Sequence, residues 1–447
     1  MRIFSKLAVA IAGVLAACSW AHPVTRLHGR SIVIGPSNSI NGTYNAHPHS
    51  GKGPSTTNGP LQTQGTAQLP LSIVNNFSGS SVNLYVTGLD DNNQLVMLQP
   101  DGSWFYPAGT NGTTIPLPIT GNVAIPISGF GTVTNLTLPS YISSARVWFA
   151  EGNLEFYTVT VDNILSLVEP SAVNPDDASA DVNWGFVELT NTEDAGIYAN
   201  ISYVDFVGLV LGMELLTGNG SIKSADGLES DAVAQICSDL QAQAASDGQP
   251  WDKLCVTDTT GNPLRVMAPT DYIGSDATAF SDYWSDYVDK VWTRYTNSTL
   301  TINTQSGAGN VNCTVRGDQL TCAGDNRGYS KPVASDIFGC NSGPFLIQAS
   351  DNDIHKAVVP RLCAAFNRST LLLSGGNVQP SLGSNYYYTV SPTNYYSKIV
   401  HKYESDGKGY AFSYDDVNPT GGDDQSGSVT DADPQLLTVY VGGPPSS

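Results

Sequence analysis

The chain has 447 residues, with 40 Asp and Glu against 20 Lys and Arg for a formal charge of −20; 40% of its residues are hydrophobic and only 13% are charged. The hydrophobic share excludes a disordered chain. The negative balance excludes nucleic acid or an anionic membrane surface as partner, because like charges repel, and leaves a neutral partner such as an uncharged sugar polymer.

Residues 1–21 read as a secretory signal: Arg2 and Lys6 are basic, Leu7 to Ala17 is apolar, and Ser19 and Ala21 are small residues at a cleavage site. That apolar stretch is too short to span a membrane, and so is Phe206 to Leu216, which contains Glu214. A secreted, extracellular protein with no membrane association is expected. Residues 22–66, rich in Ser, Gly, Asn, Pro and His, read as a flexible arm.

From 67 to 216 short β-branched and aromatic runs alternate with turn residues. They predict strands over 71–74, 82–86, 94–98, 122–127, 146–149 and 154–159, with a hairpin loop at 150–153. A spacing of about ten residues suits a β-sandwich or barrel. Beyond 217 the period changes. Val233, Ile236, Cys237 and Leu240 share one stripe of a helix over 231–244. Phe280, Trp284, Tyr287, Val288, Val291, Trp292 and Tyr295 predict an amphipathic helix over 276–295, with Ser275 or Asp276 as its cap. Pro360 suits the first turn of a further helix ending near Asn367. Strands return over 300–304, 311–315, 371–373, 386–390, 410–414 and 436–441. The expected fold is mainly β, with a mixed α/β region inserted over 217–404 and a return to the β part over 405–447.

Cys18 falls in the signal; Cys237, Cys255, Cys313, Cys322, Cys340 and Cys363 remain. An even count in an exported chain implies disulfides, and the short loops between neighbours favour sequential pairing. Of the N-x-[ST] sequons, Asn41, Asn76, Asn111, Asn135, Asn219, Asn297 and Asn367 are glycosylation candidates, while Asn200 and Asn312 are expected in buried strands. No metal and no cofactor is expected. His47 and His49 belong to a polar arm. His22, terminal after cleavage, could help form a copper brace, but nothing else in the chain suits a copper oxidase.

Carboxylates are the remaining source of chemistry. Trp184, Phe186, Glu188 and Thr190 alternate onto one strand face. A carboxyl beside aromatics has its pKa raised and can donate a proton, while aromatic faces stack on sugar rings. Asp205 sits among Tyr203, Val204, Phe206 and Val207, although Asp is rare inside strands. Glu151, Glu155, Glu169, Glu193 and Asp194 lie at turns or loop edges, and Asp415-Asp416 and Asp423-Asp424 read as solvated turns. Glycoside hydrolysis needs two carboxyl groups flanking the bond, one donating a proton and the other activating water or attacking the sugar. Composition alone does not choose the pair.

From about Leu69 onward the chain resembles glycoside hydrolase family 64, the thaumatin-like β-1,3-glucanases. The resemblance is carried by Arg146 to Phe149 (RVWF), Leu167 to Ser171 (LVEPS) followed by Asn174 to Asp177 (NPDD), Asn183 to Glu188 (NWGFVE) and Val204 to Phe206 (VDF). Pro360 to Leu362 (PRL), Ala365 to Thr370 (AFNRST) and Tyr410 to Val417 (YAFSYDDV) continue it. It implies a thaumatin-like β-sandwich beside a mixed α/β domain, enclosing a wide electronegative groove. It also implies inverting cleavage of β-1,3-glucan to short oligosaccharides, with Glu188 as general acid, Asp205 as general base and Thr190 contacting sugar; a monomer is expected. Trp184 and Tyr203 are added as cleft aromatics on pattern alone. The alternative is a non-catalytic thaumatin-like glucan-binding or defence protein. A plain hairpin about Glu193-Asp194 would pair Glu188 near Asn200 and leave Asp205 about 17 Å further along. A bulge, a wider loop or strong curvature is therefore expected here.

Overall fold

The computed structural model describes residues 67–109, 115–161 and 164–444, with the backbone of three short strands before them, Val24–Leu27, Arg30–Val33 and Ser39–Ile40. The proposed signal, His22, His47, His49, Asn41 and Asn111 lie outside the described residues. The arm over 22–66 differs from expectation in carrying strands. Val24–Leu27 pairs antiparallel with Arg30–Val33, and Ser39–Ile40 pairs with Leu167 and Val168. Val24, Thr25, Ile32 and Val33 are β-branched residues that favour extended backbone.

Two sheets hold most of the β structure. Their strands are β1 (Leu69–Asn75), β2 (Val82–Leu89), β3 (Leu95–Leu98), β4 (Thr132–Leu138), β5 (Ile142–Glu151), β6 (Trp184–Thr192), β7 (Gly196–Ile201), β8 (Leu211–Thr217), β9 (Val429–Asp431) and β10 (Pro434–Val441). One sheet runs β4-β1-β10-β8 and ends on Ile222–Ala225; the other runs β9-β7-β6-β5-β2-β3 and ends on Trp104–Phe105. β10 lies between β1, to which it is parallel, and β8.

Period-two alternation gives the second sheet two unlike buried faces. Val147 and Phe149 of β5 and Val187 and Leu189 of β6 share a core with Leu71 and Ile73 of β1, Met213 and Leu215 of β8 and Leu437 and Val439 of β10. On the opposite face Trp148, Trp184 and Phe186 join Tyr85, Phe156 and Phe206 in a separate aromatic cluster. The site described below sits on that outer face.

The helices that matter here are α1 (Ala232–Asp247), α2 (Pro269–Ser275), α3 (Ser285–Asn297), α4 (Asp353–Asn367) and α5 (Tyr395–Tyr403). Two begin where the sequence pattern did not place them. α3 starts at 285 rather than 276, because Phe280 adopts a φ of 58°, which a right-handed helix cannot continue through. α4 starts at Asp353 rather than Pro360, because the Asn352 side chain accepts from the His355 N–H at 2.9 Å and caps it there. Pro360 consequently lies inside the helix. Residues 371–373, 386–390 and 410–414 form no strands. Tyr387 and Phe412 instead cover the Arg368 guanidinium, at 4.1 and 5.2 Å. Residues 150–153 are not a hairpin loop: β5 is flanked by β2 and β6, and Tyr157–Val161 pairs in another sheet with Ile164–Val168.

The disulfides are the sequential ones, Cys237–Cys255, Cys313–Cys322 and Cys340–Cys363. Asn135, Asn219 and Asn297 are exposed, and Asn76 is half-buried. Asn367 is corrected as a glycan site. It is fully buried, and its Nδ2 donates to Ile337 O at 2.6 Å and Cys363 O at 3.2 Å, so the folded chain offers no attachment point. Asn312 is exposed in its strand, contrary to expectation, whereas Asn200 is buried as expected. No described helix is long and apolar enough to cross a membrane.

Candidate active site

Strand register sets the first part of the site. β5 and β6 pair Arg146 with Glu188, Trp148 with Phe186 and Ala150 with Trp184, and β5 and β2 pair Arg146 with Thr87. Thr87, Arg146 and Glu188 therefore form a row across the outer face. Arg146 Nη1 lies 2.6 Å from Glu169 Oε2, and its Nη2 lies 3.4 Å from Glu188 Oε1. The Thr87 hydroxyl donates to Glu169 Oε1 at 3.2 Å and accepts from Trp148 Nε1 at 3.0 Å. The guanidinium also lies 4.4 Å over the Phe186 ring.

Burial works against a charged Arg146, but Glu169, Glu188 and Asp205 outweigh it and hold its pKa above the ordinary value. Burial raises the Glu169 carboxyl despite the opposing pull of Arg146. On the other side of β6, Asn200 pairs with Glu188, and its Nδ2 donates to Glu188 Oε2 at 3.2 Å. Glu188 is thus gripped from both neighbouring strands and retains 8% of its exposure.

Asp205 reaches this face by a change of sheet. The β6–β7 hairpin has the register expected from sequence, with Glu188 opposite Asn200. β7 ends at Ile201, and Phe206 and Val207 then pair with Met267 and Val266 instead. The chain doubles back over the start of β6, where the Leu209 N–H donates to Trp184 O at 3.0 Å. Two glycines allow this approach. A Cβ on Gly185 would lie 2.3 Å from Leu209 O, and one on Gly208 would lie 2.1 Å from Trp184 O.

Asp205 and Phe206 thereby line a small pocket, open on one side, with Arg146, Trp184, Phe186 and Asp271. Asp205 is 8% exposed, and its charge reaches both Arg146 and Asp271. Burial, and next the charge of Asp205, push the Asp271 carboxyl well above the usual range. Among the described residues no group of His, Cys, Asp and Glu is arranged to hold a metal.

A family model described as Beta-1,3-glucanase, that of glycoside hydrolase family 64, matches residues 67–441. The chain belongs to glycoside hydrolase family 64. It is 26% identical over 382 residues to the glucan endo-1,3-β-glucosidase of Cellulosimicrobium cellulans, a match covering 84% of this chain and 65% of that protein. The chain therefore spans under two thirds of the length of that curated relative. A crystal structure of a laminaripentaose-producing β-1,3-glucanase in complex with laminaritetraose is 26% identical, with a TM-score of 0.72 over 84% of this chain and 98% of that one. The fold is also that of a family 64 β-1,3-glucanase domain from Clostridium beijerinckii, at 21% identity and a TM-score of 0.66 over 85% and 100% of the two chains.

The remaining candidates of this family 64 chain divide between the site and the core. Thr190 is half-buried, two residues beyond Glu188 on the same strand, and its Oγ1 accepts from the Ser144 N–H at 3.3 Å. Trp184 stands in the pocket wall but is only 2% exposed, packed 4.3 Å from Phe206 and 5.4 Å from Trp148. Tyr203 is 4% exposed, belongs to the sandwich core and is not among the pocket-lining residues, so the cleft position expected for it is corrected. Its place between Ile201 and Val207 looked like one strand, but the chain turns there.

Four further residues meet this site. Arg146 was visible as a lone charge in the apolar run Ala145 to Phe149, a signal of a buried partner. Glu169 looked like a loop-edge acid, yet it is buried beside Arg146. Asn200 carried a sequon and its expected pairing opposite Glu188, but no sign of a hydrogen bond to it. Asp271 follows Pro269 in the first turn of α2, where an acid ordinarily answers the helix dipole, so nothing in the sequence marked it.

Proposed function

We propose that this chain hydrolyses β-1,3-glucan to short oligosaccharides with inversion, using Glu188 as general acid and Asp205 as general base. One observation carries the reading: in a family 64 chain, both carboxylates gather about one guanidinium, Arg146, on one sheet face beside a pocket. Inversion requires an acid on one side of the sugar and a base with a water on the other, about 6.5–9.5 Å apart.

Glu188, steadied by Asn200 and Arg146, gives its proton to the glycosidic oxygen as the bond to the anomeric carbon breaks. Asp205 takes a proton from the water whose oxygen bonds that carbon from the opposite face. Glu188 leaves the step ionised and Asp205 protonated, and exchange with solvent restores both. The product carries the α configuration. In this reading Thr190 contacts sugar, and Trp184 stiffens the wall behind Asp205. A solved relative holds laminaritetraose, and the curated relative is named an endo-1,3-β-glucosidase, which supports an uncharged β-1,3-glucan as the substrate. Such a polymer suits a chain of charge −20. The same reading takes residues 1–21 as an export signal, the working form as a monomer and the β-sandwich as thaumatin-like.

Incubation with curdlan and laminarin, with the anomer of fresh product read by proton NMR, tests this reading. Release of α-configured oligosaccharides is expected. A β product would replace inversion by retention, and tight binding without product would make the chain a glucan-binding module.

A further inference from the structure

The chemistry above leaves one carboxyl of the pocket unused. Asp271 shares the pocket wall with Asp205, and the backbone fixes their relation. The Ala268 N–H donates to Asp205 O at 2.8 Å, and Phe206 and Val207 pair with Met267 and Val266. α2 begins immediately after this tie, and its first turn carries Asp271, whose N–H donates to Ala268 O at 3.1 Å. The segment bearing the base and the helix bearing Asp271 are thus laced together within a few residues of both carboxyls.

We propose that Asp271 is a positioning residue for Asp205, orienting by a hydrogen bond the carboxylate that receives the proton of the attacking water. The proposal rests on the reading of Asp205 as general base. Two carboxyl groups close together in one largely buried pocket do not both ionise readily, and they titrate as a pair. Burial and the Asp205 charge favour the protonated form of Asp271. A protonated carboxyl has an O–H to donate, which an ionised one lacks. The proton stays on Asp271 throughout, while the proton removed from water goes to Asp205.

The other groups facing the pair agree with this assignment. Arg146, from β5, supports the negative charge on Asp205. Tyr396, from α5, has its phenol raised well above the ordinary value by burial and then by Asp271 and Asp205, and its hydroxyl donates to Tyr203 O at 2.6 Å, so it remains neutral. Trp184 Nε1, buried on the same wall, has no hydrogen-bond partner among the described residues and is a donor suited to a pocket water.

The test compares Asp271→Ala and Asp271→Asn with the unmodified protein on laminarin across pH, alongside carboxyl carbon-13 NMR of aspartate-labelled protein. Asp271→Ala is expected to lower kcat about 10- to 100-fold with KM within about twofold, and to move the acid limb of the pH–rate profile up by about one pH unit. Asp271→Asn, which still donates, is expected to keep kcat within about threefold. The NMR is expected to show two linked titration steps for Asp205 and Asp271, reduced to one in Asp271→Asn. An unchanged kcat and acid limb in Asp271→Ala would overturn the proposal, as would an Asn variant as impaired as the Ala variant. Unlinked titrations in an active enzyme would overturn the positioning role alone. Linked titrations in a protein that releases no sugar would overturn the hydrolase reading instead.

Discussion

Glu169 takes the 2.6 Å contact with Arg146 and leaves Glu188 the 3.4 Å one. The guanidinium charge is therefore answered first by a residue with no part in proton transfer, and its demand for an ionised Glu188 is weakened. Glu169→Gln removes that first answer, so the alkaline limb of the pH–rate profile should move to lower pH by about one unit. An unmoved limb would show that Arg146 does not govern the acid. Glu188→Gln and Asp205→Asn should each cut kcat by about 10²–10⁴-fold while melting within a few degrees of the parent; near-parental turnover in either would remove that residue from its role. Glu188 stood out at this scale because strand alternation sets a carboxyl beside two aromatics, and Asp205 because an acid stood in an apolar run, but only the family resemblance chose them as a pair. Glu169 did not stand out, because its importance depends on which strand lies beside it. The burial of Asp415 against Arg368 at 2.8 Å likewise contradicts its reading as a solvated turn.

The element that makes the site is the departure of the chain from β7 after Ile201. Had the hairpin continued, Asp205 would have stayed on the sheet, far along from Glu188. The sequence required a break there but did not say which kind. The answer lay in Gly185 and Gly208, whose missing side chains let two backbones touch. Gly208→Ala forces those backbones apart and shifts the segment bearing Asp205. A displacement of about 1 Å is expected to cost about 10²-fold in kcat, with circular dichroism unchanged; full activity would show that the close approach is not what positions the base. Long alternating strands such as β1 and β10 were readable because each buries one full face. The runs at 386–390 and 410–414 misled because Tyr387 and Phe412 are buried by covering Arg368, which period-two patterning does not distinguish from pairing in a sheet.

Across the whole molecule, stability should depend on a buried charge cluster far along the chain from Glu188. His401 Nδ1 lies 2.7 Å from Glu404 and its Nε2 2.9 Å from Asp415. Burial works to strip its proton, but Glu404 and then Asp415 overcome this and hold its pKa at about 10. A histidine raised in this way contributes stability fully below its ordinary value of 6.5 and loses it as pH climbs through about 10. Burial raises Glu404 to about 7, against the pull of His401, so its ionisation also lowers stability as pH rises. The melting temperature should fall from pH 7 to 10, and His401→Gln should flatten that slope. An equally steep slope in the variant would dissociate the cluster from alkaline unfolding.

Because Pro434–Val441 fills the slot between Leu69–Asn75 and Leu211–Thr217, a growing polypeptide holds that slot open until those late residues have been made and docked. The sheet can then close only late in synthesis, and a premature stop after Asp433 would expose two sticky strand borders and send the product toward aggregation rather than a slightly shortened fold.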